Sequence, residues 1–102
     1  MDIDIKKDGA QILAVLAGEL DHHSATKTRQ ALDEIISAVK APQLTLDMSG
    51  VTFMDSSGLG VVLGRYRAVT ERGGRLYIGG ASRTAEKILR MAGVYSLVEK
   101  RG

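Results

Sequence analysis

Two adjacent hydroxyls follow an acidic residue in the run Phe53-Met54-Asp55-Ser56-Ser57-Gly58-Leu59-Gly60, where the hydrophobic pattern changes period. Upstream, Leu44-Thr45-Leu46-Asp47-Met48 alternates apolar and polar side chains, as a half-buried strand requires. Downstream, Leu59, Val62, Leu63, Tyr66 and Val69 or Thr70 fall at helical spacing. The spacing therefore predicts a strand-to-helix junction with Asp55 as N-cap and Ser56 and Ser57 in the first helical turn. That turn has unpaired backbone N–H groups and the positive end of the helix dipole, which together favour a phosphate. A serine placed there serves either as acceptor of a phosphoryl group or as a capping hydroxyl. Capping is the ordinary use of Ser and Asp, and position alone leaves both roles open.

The helix that follows is a poor helix former. Gly58, Gly60 and Gly64 each cost roughly 1 kcal/mol relative to alanine in a helix interior, and the β-branched Val61 and Val62 add small penalties. Either close packing against a sheet or a flat face for a partner, formed by Gly60 and Gly64 one turn apart, would explain them. The spacing Gly58-x-Gly60-x-x-x-Gly64 lacks the third glycine of a dinucleotide-binding loop, and no Gly-Lys-Ser/Thr phosphate loop is present. His22 and His23 are the only histidines. Adjacent helical residues point apart, so a shared metal is not expected. A Ser–His–Asp hydrolase would need the fold to join Ser56 or Ser57 to a histidine, and the chain has no Gly-x-Ser-x-Gly elbow. No metal, cofactor or catalytic residue is predicted, and a small nucleotide-binding or hydrolytic domain is the alternative from another functional class.

The elements that must position this junction can be read along the chain. Ile3 and Ile5 alternate with Asp2, Asp4 and Lys6, a polar-faced strand suited to a sheet edge, and Lys7-Asp8-Gly9 supplies a hairpin turn. The almost wholly apolar run Gln11 to Ala17 is expected as an interior strand covered on both faces, ended by Gly18. A helix is predicted from near Asp21 to Lys40, with Ala25, Thr28, Leu32, Ile35, Ile36 and Val39 inside. Pro42 separates it from the strand at Leu44. Beyond the motif helix, Gly73-Gly74 marks a stop, Leu76-Tyr77-Ile78 a strand, and Ser82 the cap of a third helix with Ala85, Ile88, Leu89 and Ala92 inside. Tyr95 to Glu99 is expected as a last short strand. Strands alternating with helices after Gly18 predict an α/β layer around one sheet.

With 102 residues, one domain is expected, spanning residues 1–102. Zero cysteines exclude a disulfide framework and thiolate metal sites. The longest apolar stretch, Ile12 to Gly18, is too short to span a bilayer, and the N-terminus has no signal-peptide pattern. No membrane association is expected, and the cytoplasm is the expected compartment. Net charge is +2, divided as −3 over residues 1–51 and +5 over residues 52–102. The basic residues are spread over several elements and the aromatics are only Phe53, Tyr66, Tyr77 and Tyr95, so no stacking platform for nucleic acid is evident.

The run Phe53 to Arg67 (FMDSSGLGVVLGRYR), preceded by Gly18-Glu19-Leu20-Asp21-His22-His23, resembles the anti-sigma-factor antagonists of the STAS family, and its sporulation-type members most. The resemblance follows segment order over nearly the whole chain. It implies a single STAS-type α/β domain, a mixed β-sheet with helices packed mainly on one face. It also implies that Ser56 is a phosphoacceptor and that Asp21, Asp55, Ser57, Gly58, Leu59 and Gly60 belong to a partner-binding surface. The implied partners are an anti-sigma factor that is also a serine kinase and a serine phosphatase, with no direct contact to DNA. The implied activity is regulatory, not enzymatic: a partner switch controlling sporulation transcription or, alternatively, a general-stress response. Family members usually continue past the last strand into a C-terminal helix, and this chain stops at Arg101-Gly102, so that helix is expected to be short or missing.

Overall fold

The computed structural model describes residues 1–101. In chain order it contains β1 (Asp2–Asp8), β2 (Gln11–Leu20), α1 (Ala25–Ser37), β3 (Gln43–Met54), α2 (Ser56–Glu71), β4 (Arg75–Ala81), α3 (Arg83–Met91), a 3₁₀ turn (Val94–Ser96) and β5 (Glu99–Lys100). The five strands lie in sequence order, β1-β2-β3-β4-β5. The β1–β2 hairpin is antiparallel and every later pairing is parallel, so the sheet is mixed.

This order dictates where the helices go. Each parallel step moves one strand in the same direction, and a right-handed crossover then lays every connecting helix on the same side. The core accordingly sits between one sheet face and three helices. Ile12, Ala14 and Leu16 of β2, Leu44, Leu46 and Met48 of β3, and Leu76 and Ile78 of β4 are buried. They meet Leu32 and Ile36 of α1, Val61, Val62 and Val69 of α2, and Ala85 and Leu89 of α3.

The expectation that β2 is covered on both faces is corrected. Its burial alternates, with Leu13 37% exposed between buried Ile12 and Ala14. The apolar run reflects the open face of the sheet, where Leu13, Val15 and Ala17 neighbour one another, rather than a second layer of helices. Gly18 does not end β2 either. With φ +108 it sits where the pairing to β3 shifts register, and the strand continues to Leu20. Likewise β3 runs past Met48 to Met54, because Val51 and Met54 return to the buried side beyond the shift.

Two helical boundaries also differ. Residues Asp21 to Ser24 form a turn, and α1 starts at Ala25 and stops at Ser37, although Val39 stays buried beyond its end. The last strand shrinks to two residues because Val94–Ser96 coils into a 3₁₀ turn. That turn is held by Glu86 of α3, which accepts from the Tyr95 hydroxyl at 2.6 Å and from Arg90 and Lys100. On the open face, Tyr77 is buried although no helix covers it. Its hydroxyl donates to Gln43 and the Arg101 guanidinium lies 3.8 Å above its ring. No helix follows β5 before Arg101.

Candidate functional site

Because β2 and β3 are parallel, their carboxyl ends meet at one rim of the sheet, with Glu19 beside Phe53 and Leu20 beside Met54. The β2–α1 turn and the β3–α2 junction are therefore neighbours. Asp55 joins them. It adopts an extended N-cap conformation (φ −117, ψ −170), and its Oδ1 accepts from the Gly58 N–H at 3.0 Å. Its Oδ2 accepts from the His22 N–H across the gap at 3.1 Å. The Gly58 N–H is the largest influence holding this carboxyl below the usual aspartate range, against some desolvation and the nearby charge of Asp21.

Asp21 organises the other half. Its Oδ1 accepts from the N–H groups of His23 (3.0 Å) and Ser24 (3.1 Å), while its own N–H donates to Ser24 Oγ. Desolvation pushes the Asp21 carboxyl up, but the hydrogen bonds from Ser24 and His23 outweigh it and leave it below the ordinary value. The rim thus presents two ionised carboxylates whose hydrogen bonds are spent on shaping two loops. Ser24 was not singled out from the sequence. The Asp-x-x-Ser spacing is a turn cue, and with Ser24 as N-cap it places the helix start at Ala25, four residues after the expected Asp21.

The hydroxyls themselves divide clearly. Asp55 supplies the capping oxygen of α2, so neither serine is needed for that task. Ser56 is exposed at the first position of α2, Ser57 is half-buried, and Gly58 is fully enclosed. A Cβ on Gly58 would stand 2.1 Å from the Leu20 carbonyl oxygen, so the helix can dock on the end of β2 only with glycine there. Gly60 and Gly64 differ: a Cβ on either would meet nothing within 4 Å. Close packing against the sheet therefore accounts for Gly58 alone. Positions 56, 60 and 64 are successive turns of one helix face. Leu59 is half-buried and packs against the core beside that face. Phe53 stands next to the junction with 48% of its surface exposed.

The sequence profile of the STAS domain matches residues 2–101. This chain belongs to the STAS family. It is 32% identical over 98 residues to an anti-sigma F factor antagonist of Paenibacillus polymyxa, a match covering 96% of this chain and 84% of that protein. It is 31% identical over 100 residues to an anti-sigma-B factor antagonist of Listeria monocytogenes, covering 97% and 87% respectively. Among solved structures, the anti-sigma factor antagonist SpoIIAA in its unphosphorylated form superposes with a TM-score of 0.82 at 28% identity, covering 99% of this chain and 89% of that one. The phosphorylated form of Bacillus SpoIIAA gives 0.77 at 28% identity, covering 99% and 92%. The α/β architecture with helices on one sheet face is therefore that of a STAS domain.

Histidines 22 and 23 stack edge to face with ring centroids 5.5 Å apart. Among the described residues no group of three or more potential metal ligands occurs. No helix there is long and apolar enough to cross a membrane.

A buried charge further along α2 escaped the sequence reading. Arg65 of α2 is turned toward α1, where its Nε lies 3.0 Å from Asp33 Oδ1. The side chain is 8% exposed, and neither Nε nor Nη1 has a well-aligned hydrogen-bond acceptor. Burial lowers the Arg65 pKa, with Asp33 opposing and Arg29 adding to that effect. Its position in the helical stripe offers a signal: Val61, Val62, Arg65 and Val69 lie at buried spacing, with a charge among apolar side chains.

Proposed function

We propose that this protein is an anti-sigma factor antagonist working by partner switching, with Ser56 as the switch. The observation that carries this reading is the α2 face itself. An exposed hydroxyl is followed at one-turn intervals by two glycines with open space in front of them. Nothing inside the molecule requires a glycine at Gly60 or Gly64, and each weakens the helix. A partner helix or loop lying along that face does require them.

In the unphosphorylated form the α2 face, bordered by Asp21, Asp55, Ser57, Gly58 and Leu59, docks on an anti-sigma factor that is also a serine kinase, and the sigma factor is released. For phosphotransfer the Ser56 Oγ attacks the γ-phosphorus of ATP. The new O–P bond replaces the bond to ADP, and the hydroxyl proton passes to a base of the kinase. The product carries about −1.5 to −2 charge beside the carboxylates of Asp55 and Asp21. The helix N-terminus favours that charge by about 0.3–1 kcal/mol, so the domain tolerates it in water. Buried against a partner without a cation, the same charge costs several kcal/mol. The complex then separates, and a serine phosphatase hydrolyses the ester to restore the docking face. The protein acts in the cytoplasm as a substrate of these enzymes and binds no DNA directly.

The motif Glu19-Leu20-Asp21-His22-His23 supports a role in sporulation. The similarity to an anti-sigma-B factor antagonist supports a general-stress role as the second reading. The test is phosphotransfer with ATP and the candidate anti-sigma kinases, comparing wild type, Ser56→Ala and Ser57→Ala. Phosphate on the wild type, located at Ser56 and absent from Ser56→Ala, is the expected result. Phosphate retained in Ser56→Ala but absent from Ser57→Ala would move the switch by one residue. No transfer and no complex would overturn the reading.

A further inference from the structure

Phe53, the only phenylalanine of the chain, stands three residues before Ser56 with about half of its surface in solvent. Strict alternation along β3 would bury it. Val51 points into the core, so Thr52 would face out and Phe53 in. The ladder to β2 prevents this. Gly18 pairs with Val51, and Glu19, the next residue of β2, pairs with Phe53, so Thr52 is an extra residue on β3. The bulge leaves Thr52 and Phe53 both outside and returns Met54 to the core. Phenylalanine and methionine contribute similarly when buried, so the core gains nothing from the exchange. No further strand shields the ring either. The pairing of β3 with β4 stops at Met48, and residues 49–54 have only β2 beside them in the sheet. The end of β3 is thus built to hold an aromatic side chain outside the core, next to the switch hydroxyl.

We infer that Phe53 is the apolar anchor of the docking face, seated in an apolar pocket of the anti-sigma kinase when the two proteins meet. This rests on the docking reading above and extends that face from α2 over the rim onto the end of β3. The occupant is the same partner because the two surfaces are continuous. A stable interface of ordinary size covers about 800 Å² on each side, a patch of roughly 16 Å radius. Three residues of extended chain span at most about 11 Å, so a patch centred on Ser56 includes Phe53. The neighbours of the ring are polar: Glu19 across the ladder, then Asp21 and Asp55 at the two loops. One aromatic side chain inside a polar border is the arrangement in which a single residue carries much of the binding energy. The ring has no group that takes part in phosphoryl transfer, so Phe53 is a positioning residue: it sets how tightly the substrate is held and not how fast it reacts.

Titration calorimetry and phosphotransfer kinetics with the kinase that modifies Ser56 test this on the whole chain. The variants are Phe53→Ala, Phe53→Leu and Met91→Ala, the last removing an apolar side chain 79% exposed at the far end of α3. Phe53→Ala is expected to weaken the complex by about thirtyfold or more. The KM for phosphorylation should rise by a similar factor while kcat stays within about twofold of wild type. Phe53→Leu should recover most of the affinity, and Met91→Ala should bind as wild type does. Circular dichroism and urea denaturation check that each variant folds. Binding of Phe53→Ala within about threefold of wild type overturns the inference and leaves the switch at Ser56 standing. An equal loss in Met91→Ala overturns it too, as does a fall in kcat with KM unchanged. No complex with wild type removes the docking reading and this inference together.

Discussion

At Asp55 a single carboxylate holds two chain segments through one oxygen each, so its protonation acts on both. Its folded pKa lies below the ordinary aspartate value. The stability it contributes is therefore complete above about pH 4 and is lost as pH falls through the lower folded value. Asp55→Asn is expected to flatten the acid limb of a stability–pH profile while leaving the neutral plateau lower than wild type. An acid limb identical to wild type would show that another carboxylate governs it. The glycines separate in the same manner. Gly58→Ala forces a methyl into the Leu20 carbonyl and should destabilise by about 1–3 kcal/mol. Gly60→Ala should stabilise by up to about 1 kcal/mol, read from chemical denaturation, while a larger Gly60→Leu side chain weakens partner binding in titration calorimetry. These opposite signs were not legible in the sequence, where all three glycines look alike. Only the approach of Leu20, 38 positions earlier in the chain, distinguishes Gly58. The cap at Asp55 was legible, since it depends on neighbours within one helical turn.

At the level of elements, α1 and α2 are fastened by the Arg65–Asp33 pair and, at their C-terminal ends, by Arg72, which donates to the Ser37 and Val39 carbonyls. A buried guanidinium with two poorly satisfied nitrogens is a costly way to join helices. Arg65→Met, close in shape and free of charge, should match or exceed wild-type stability in urea denaturation. Asp33→Asn leaves the cation without its counter-charge and should cost about 1–3 kcal/mol. If both variants lose stability equally, the pair is a net stabiliser and the desolvation argument fails. The strands and helices themselves follow from local period, cap and turn residues, and their order emerges from the sequence. Their lengths do not. β2 and β3 run on past their expected ends because pairing across register shifts sustains them, and such pairing is a property of two strands together. The final strand fails to extend because Tyr95 is drawn to Glu86, a contact invisible to any short window. Desolvation, then Glu86, raises the Tyr95 hydroxyl well above its usual pKa, so it stays protonated throughout the working range.

Over the whole molecule, the exposed serine and the preformed rim lead to the expectation that the phosphorylation proposed at Ser56 acts at the surface and leaves the fold in place. Amide NMR shifts on phosphorylation are expected to cluster in the β2–α1 turn and the first turns of α2. Changes extending across Leu13, Thr45 and Tyr77 on the far face of the sheet would instead indicate a global rearrangement. The strand order has a further consequence, for the chain as it leaves the ribosome. Each strand pairs with the one made just before it, so the sheet can grow by accretion at its newest edge, with no early strand held waiting for a late one. On that order the β1–β2 hairpin is the expected seed of folding. The rim that carries Asp21, Asp55 and Ser56 belongs to the first half of this growth. On that order the last strands close the opposite border.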